Sequence, residues 1–123
     1  MPIPQFASAK KNASLPTVMD ITPADLHTHL DEVTVVDVRQ PDEWAGELKH
    51  IRSAKHIPLG QLGDHLESLV EGQANGRPHV FVCKAGGRSV RAADLAQTYG
   101  LKNVFNLQGG MLAWSPLYPE TLE

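Results

Sequence analysis

His79 to Gln97 reads HVFVCKAGGRSVRAADLAQ, and the order of residue types in it decides the fold. Three apolar residues, Val80, Phe81 and Val82, lead into Cys83, the only cysteine of the chain. Gly86 and Gly87 follow, then Arg88, Ser89 and a segment in which Ala92, Leu95, Ala96 and Tyr99 fall at i, i+3, i+4 and i+7, the spacing of one helical stripe. Gly100 closes that segment as a C-terminal cap, because glycine takes the left-handed conformation without a Cβ clash. The pattern is strand, tight loop, helix, with the helix expected to begin near Ser89. In open α/β sheets ligands bind outside the carboxyl ends of the strands, which is where Cys83 stands.

A thiol there has chemistry open to it. The first N–H groups of a helix lack intrahelical partners, and the glycine pair lets the chain curl so that further N–H groups face inward as an anion nest. Free cysteine titrates near a pKa of about 8.5, and helix N-termini with nearby cations lower this to between roughly 3.5 and 7.5. Lys84 and Arg88 supply the cations. The thiolate would be a nucleophile, and the nest would hold an anionic substrate or a charged intermediate. A lone cysteine is more often a buried packing residue. Two glycines, two cations and a helix start within six residues weigh for a functional thiol instead. With no second cysteine to resolve it, any group that Cys83 collects must leave to an external acceptor.

Composition sets bounds around this loop. A chain of 123 residues with 41% hydrophobic content implies one domain with a compact core. The net charge of −3, from 11 basic and 14 acidic residues, gives no reason to expect nucleic acid or an anionic membrane surface as a partner. One cysteine excludes an intrachain disulfide framework. No apolar stretch has the form of a signal peptide or a membrane span, so a soluble cytoplasmic protein is expected. No internal repeat is visible.

Residues 1–16 hold three prolines, small polar residues and Lys10-Lys11, and read as a mobile tail or a strap along the surface. Val18 to Ile21 suits a first strand. Thr22-Pro23-Ala24-Asp25 has the form of a helix start, with Thr22 as cap and Pro23 at the first helical position. His27 and His29 form an HxH, but i and i+2 do not share a helix face and no ligand set completes a zinc site. Val33 to Val38, VTVVDV, has the nearly continuous β-branched character of a buried parallel strand. Pro41 then opens a short helix containing Trp44. Leu59 to Val70 reads as a helix with Leu62, Leu66, Leu69 and Val70 on one side. Glu71 to Pro78 is a turn cluster, Asn103 to Leu107 the last strand, and Ser115 to Glu123 a tail.

CKAGGRS, Cys83 to Ser89, resembles the active-site loop of the rhodanese-like sulfurtransferases. Cysteine phosphatases carry C-x5-R, whereas this chain has C-x4-R from Cys83 to Arg88, and the shorter loop resembles the rhodanese type. Three more blocks are similar to that family: DVRQPDEW (37–44), KHIRSAKHIPL (49–59) and GGMLAW (109–114). Lys49 and Ser53 stand where the family pattern has glycines, so the local turn is either rebuilt or carries an uncommon backbone conformation at Ser53. Arg52 and His56 are expected to face solvent, and Met111 and Trp114 to pack in the core.

The resemblance implies an α/β fold, a three-layer α/β/α sandwich with a mostly parallel five-stranded sheet, over residues 17–116, with an N-terminal tail (1–16) and a C-terminal tail (117–123) outside it. It implies a persulfide on Cys83, cradled by the loop from Lys84 through Ala85, Gly86, Gly87 and Arg88 to Ser89. Lys84 and Arg88 would attract a small anionic sulfur donor such as thiosulfate, and cyanide, a thiol or a protein would accept the sulfur. Asp37 and Arg39 are read as an ion-pair set supporting the loops rather than as catalysts. No metal and no cofactor enter this reading. Two others stand beside it: a sulfur-carrier or interaction module served by specific protein partners, and an arsenate or phosphate ester enzyme using the cysteine and arginine.

Overall fold

The structure is a computed structural model that describes residues 4–123. Residues 1–3 of the expected N-terminal tail lie outside the described residues. Period-2 alternation builds the sheet. In the strand His79–Val82, Val80 and Val82 face one side with Val35, Ile21 and Leu107, while Phe81 faces the other with Val36 and Val104. Side chains buried in this way each stabilise the fold by about 1.5–3 kcal/mol.

Six strands form the sheet, β1 (Lys10–Lys11), β2 (Met19–Ile21), β3 (Thr34–Asp37), β4 (Lys55–His56), β5 (His79–Val82) and β6 (Val104–Leu107). Their order is β1-β2-β6-β5-β3-β4. All neighbours are parallel except β1, which pairs antiparallel with β2. The expected five strands are therefore extended by one. Residues 4–16 run as a strap over the sheet: Phe6 packs edge-on against Phe105, Ser8 bonds to Asp25, and β1 caps the edge that β2 would leave open.

Helices cover both faces. α1 (Pro23–Thr28) and α5 (Gly110–Leu117) bury Leu26, Met111 and Trp114 on one side. α3 (Leu66–Glu71) and α4 (Gly87–Tyr99) bury Leu66, Leu69, Val90, Ala92 and Ala96 on the other. A short helix, α2 (Pro41–Trp44), follows β3. Thr22 caps α1 as expected, its Oγ1 accepting from the Asp25 N–H at 3.2 Å. Among the described residues no helix is long and apolar enough to cross a membrane.

Several local expectations are corrected. The segment from Leu59 is a 3-10 helix to His65 and becomes α-helical only at Leu66, since Gly60 and Gly63 weaken an α-helix there. α4 begins at Gly87, two residues before Ser89, and its buried face is the small-residue row Ser89, Val90, Ala92, Ala93 and Ala96. Leu95 and Tyr99 of the expected stripe are 44% and 54% exposed, because α4 is turned so that Ser89 and Ala93, and not Leu95 and Tyr99, flank the buried Ala92 and Ala96. Helix α5 continues to Leu117 through Pro116, held by the Tyr118 N–H on the Trp114 carbonyl and by Ser115 on the Leu48 carbonyl. The following residues are packed too, with Leu122 bridged to Ile51. His56 is half-buried rather than solvent-facing: it bonds to the Arg39 carbonyl and stacks on Trp44.

The uncommon backbone conformation falls on Lys49, at φ +56°, and not on Ser53. A left-handed conformation costs a residue with a Cβ roughly 1–2 kcal/mol, partly offset here because glycine loses more chain entropy on folding. Lys49→Gly is expected to raise stability by up to about 1 kcal/mol in urea denaturation; an unchanged or lower midpoint counts against the strain.

Candidate active site around Cys83

β5 ends at Val82, and Cys83 begins the loop on the face covered by α4. Gly86, at φ +112°, turns the chain into α4. Glycine is required there, since this region is closed to residues with a Cβ. The loop is also pinned from behind. The first N–H groups of α5 reach its carbonyls, Met111 N to Cys83 O at 2.9 Å and Leu112 N to Lys84 O at 3.0 Å. A trans peptide points its N–H opposite to its C=O, so drawing these carbonyls toward α5 turns the Lys84 and Ala85 amides the other way, and of these two the Ala85 amide acts on the sulfur. Gly110 permits the approach: it sits at φ +56°, and a Cβ there would lie 2.5 Å from both carbonyl oxygens.

The result is a cup of donors around one sulfur atom. The Gly86 N–H donates to Cys83 Sγ at 3.0 Å, and the Ser89 hydroxyl lies 3.2 Å from it. Cys83 is 1% exposed, and burial alone would push its pKa up; the Ser89 hydroxyl and the amides of Ser89, Gly86 and Ala85 together outweigh that and hold it below the usual value. The thiolate is therefore stabilised by oriented hydrogen bonds in a desolvated site.

The two expected cations differ. Arg88 forms a fork on Glu43, Nη1 to Oε1 at 2.6 Å and Nη2 to Oε2 at 2.8 Å. The Arg88 fork, with burial opposing and the Gln40 N–H and the Arg39 charge assisting, lowers Glu43 to a pKa of about 2. Lys84 is exposed and makes no ion pair among the described residues. It lines a cleft of about 290 Å³ with Arg39, Glu43 and Leu112. Ala85, Gly86 and Gly87 line a second cleft of about 540 Å³, so the loop is the wall between the two. Cys83 lines neither cleft and faces the loop's own amides.

Asp37 and Arg39 are 1% exposed and joined by a fork, Nη2 to Oδ2 at 2.8 Å and Nε to Oδ1 at 3.0 Å. Arg39 also donates to the carbonyls of Lys49 and Glu43. The pair thus ties β3 to both loops beside the site. Trp44 lies between His50 and His56, stacked at 3.5 and 4.5 Å. His27 stacks on Tyr118 and bonds to Glu120, away from His29. Sequence reading missed the partnership of Glu43 with Arg88, and it missed Asn106. Asn106 is buried in β6 with its carbonyl on the Ser89 hydroxyl and its amide on Asp20. Its one signal was a polar residue inside an apolar strand, where asparagine is rare.

Two variants test this geometry. Gly110→Ala is expected to cost at least about 2 kcal/mol in chemical denaturation, from the left-handed strain and the backbone clash together. Glu43→Gln keeps a hydrogen-bonding side chain but removes the anion beside Arg88, so the midpoint of Cys83 alkylation against pH should fall. Glu43 has its folded pKa depressed, so its contribution to stability is complete above 4.5 and is lost as pH falls toward about 2; in Glu43→Gln that acid limb should flatten.

Residues 22–116 match the family model described as Rhodanese-like domain. The chain is 35% identical over 105 residues to the Rhodanese-like/PpiC domain-containing protein 12, chloroplastic, of Arabidopsis thaliana, covering 80% of this chain but 34% of that protein. It is 32% identical over 85 residues to the thiosulfate sulfurtransferase GlpE of Pseudomonas fluorescens, covering 69% of this chain and 72% of that one. The crystal structure of a rhodanese-like domain protein from Staphylococcus aureus superposes with a TM-score of 0.66 at 33% identity, over 77% of this chain and 89% of the other. The chain thus spans about a third of the plant relative and about three quarters of the bacterial one. It belongs to the rhodanese-like domain family, a sulfurtransferase-type family.

Proposed function

We propose that this chain transfers sulfane sulfur from a small anionic donor, such as thiosulfate, to cyanide or a thiol through a persulfide on Cys83. The observation that carries this reading is the cup itself: amide and hydroxyl donors from Ala85, Gly86 and Ser89 converge on one sulfur atom. The Pseudomonas relative named as a thiosulfate sulfurtransferase supports the choice of donor.

In the first half-reaction the Cys83 thiolate attacks the outer sulfur of thiosulfate. The new S–S bond forms as the bond to the sulfonate breaks, and sulfite leaves with the electron pair. The outer sulfur of the persulfide carries the negative charge, and the loop amides are the donors available to hold it. In the second half-reaction cyanide attacks that outer sulfur. The S–S bond breaks, its pair returns to Sγ, and thiocyanate leaves. No proton or external reductant is needed. Exposed Lys84 attracts the anionic donor, while Arg88, neutralised by Glu43, braces the loop.

A second reading, a sulfur carrier loaded and unloaded by specific proteins, draws support from that same neutralisation, which leaves Lys84 with less help in drawing a small anion. The phosphate-ester reading lacks such support: Arg88, which would have to clamp ester oxygens, is held by both carboxylate oxygens of Glu43.

Incubation with thiosulfate followed by intact-protein mass measurement is expected to add one sulfur atom, and Cys83→Ser is expected to add none. An equal gain in Cys83→Ser overturns the persulfide. Slow loading from thiosulfate with fast loading from a persulfidated protein selects the carrier.

A further inference from the structure

The Ser89 hydroxyl has two claimants for its single proton. Cys83 Sγ lies 3.2 Å from the oxygen and Asn106 Oδ1 lies 2.5 Å from it. The asparagine cannot turn its other end to the serine, because Asn106 Nδ2 donates to Asp20 Oδ1 at 2.9 Å. Asp20 is itself held, accepting from Asn12 Nδ2 at 3.0 and 3.2 Å through its two oxygens. Ser89, Asn106 and Asp20 are all buried.

The inventory of donors then decides the arrangement in each charge state. While Cys83 is a thiol, its S–H donates to Ser89 Oγ and the Ser89 O–H donates to Asn106 Oδ1, so every buried group is satisfied. When Cys83 ionises, the sulfur becomes acceptor only. The Ser89 proton is then drawn onto it, and Oδ1 of Asn106, a residue 2% exposed on the wall of the cleft of about 540 Å³, gives up its side-chain donor. When the sulfur carries a second sulfur atom, its charge moves outward to the amides, and the hydroxyl can return to Asn106.

We propose that Asn106, oriented by Asp20, is a positioning residue that competes with Cys83 for the Ser89 hydroxyl proton and so sets how readily the thiolate forms and leaves. This deepens the persulfide reading and rests on it for its role in the reaction. A thiolate that forms more readily departs faster from the persulfide, but it attacks the donor more weakly, since nucleophilicity falls with pKa. Asn106 therefore divides the rate between loading and discharge.

The test reads the thiol and not sulfur transfer, so it separates this inference from the proposed activity. Iodoacetamide alkylation of the single cysteine is followed against pH in the wild type, Asn106→Ala, Ser89→Ala and the double variant. Removing the competing acceptor should lower the Asn106→Ala midpoint by about one pH unit. In the Ser89→Ala background the same substitution should shift it little, and Ser89→Thr, which keeps a hydroxyl, should restore the sensitivity. An unchanged or raised midpoint in Asn106→Ala, or an equal shift in both backgrounds, overturns the proposal. Where Asn106→Ala does not fold, the wild type carries the test. The ¹³C resonance of the Asn106 side-chain carbonyl should move with the Cys83 titration and stay still in Ser89→Ala. A resonance that ignores the titration, or follows it equally in both proteins, overturns the proposal.

Discussion

The carbonyl oxygens of Cys83 and Lys84 accept hydrogen bonds from the first free N–H groups of α5, and the site depends on that pair of bonds. A four-residue loop, Cys83 to Gly86, left to itself has amides that could face anywhere. Tying two carbonyls to a neighbouring helix orients the two peptide planes that carry them, and with them the Lys84 and Ala85 amides, because each plane is rigid. It also satisfies orphan donors at the start of α5, which would otherwise need water or a side chain. Gly110 is the condition for both gains, since any Cβ there would collide with the carbonyls being held. The glycine pair at 109–110, far from Cys83 in sequence, thus belongs to the Cys83 loop in space.

Within that cup two opposing effects act on Cys83. Burial disfavours the thiolate, and hydrogen bonds from Ser89, Gly86 and Ala85 favour it by more. Formal charges contribute less than the residue types imply, because Arg88 is matched by Glu43 at close range. A site built on amide dipoles rather than on a free guanidinium suits a small, soft anion better than a phosphate ester, whose several oxygens call for a bidentate clamp.

Strand, loop and helix around Cys83 were legible in the sequence because each rests on local chemistry: β-branched runs, glycines, and apolar residues at helical spacing. The second layer was not. Glu43 and Arg88 lie 45 positions apart and Ser89 and Asn106 lie 17 apart, so only the folded sheet brings them together. The stripe through Leu95 and Tyr99 failed for a related reason. Periodicity reports which residues share a face, but α4 has more than one apolar face, and packing buries the one through Ser89, Ala92, Ala93 and Ala96. Lys49 shows a further limit. The turn kept the backbone shape that glycine makes easy and left the strain on a lysine, since its carbonyl is needed by Arg39.

That carbonyl leads to the Asp37–Arg39 pair, whose burial needs a reason. A buried ion pair is often no more stabilising than apolar residues of the same volume, because both ions lose their water. What apolar residues could not do is bind three backbone segments at fixed angles. Arg39 divides its donors between Asp37 at the end of β3, the Glu43 carbonyl of α2 and the Lys49 carbonyl of the next turn. With α2 held at its carbonyl, the Glu43 side chain is left at the range where it can fork onto Arg88, and Arg88 sits just past the Cys83 loop in the first turn of α4. Directionality, rather than net stabilisation, is therefore the property for which this position requires a charged pair. The loop that faces Cys83 is braced from α5 on one side and, through Glu43, from β3 on the other.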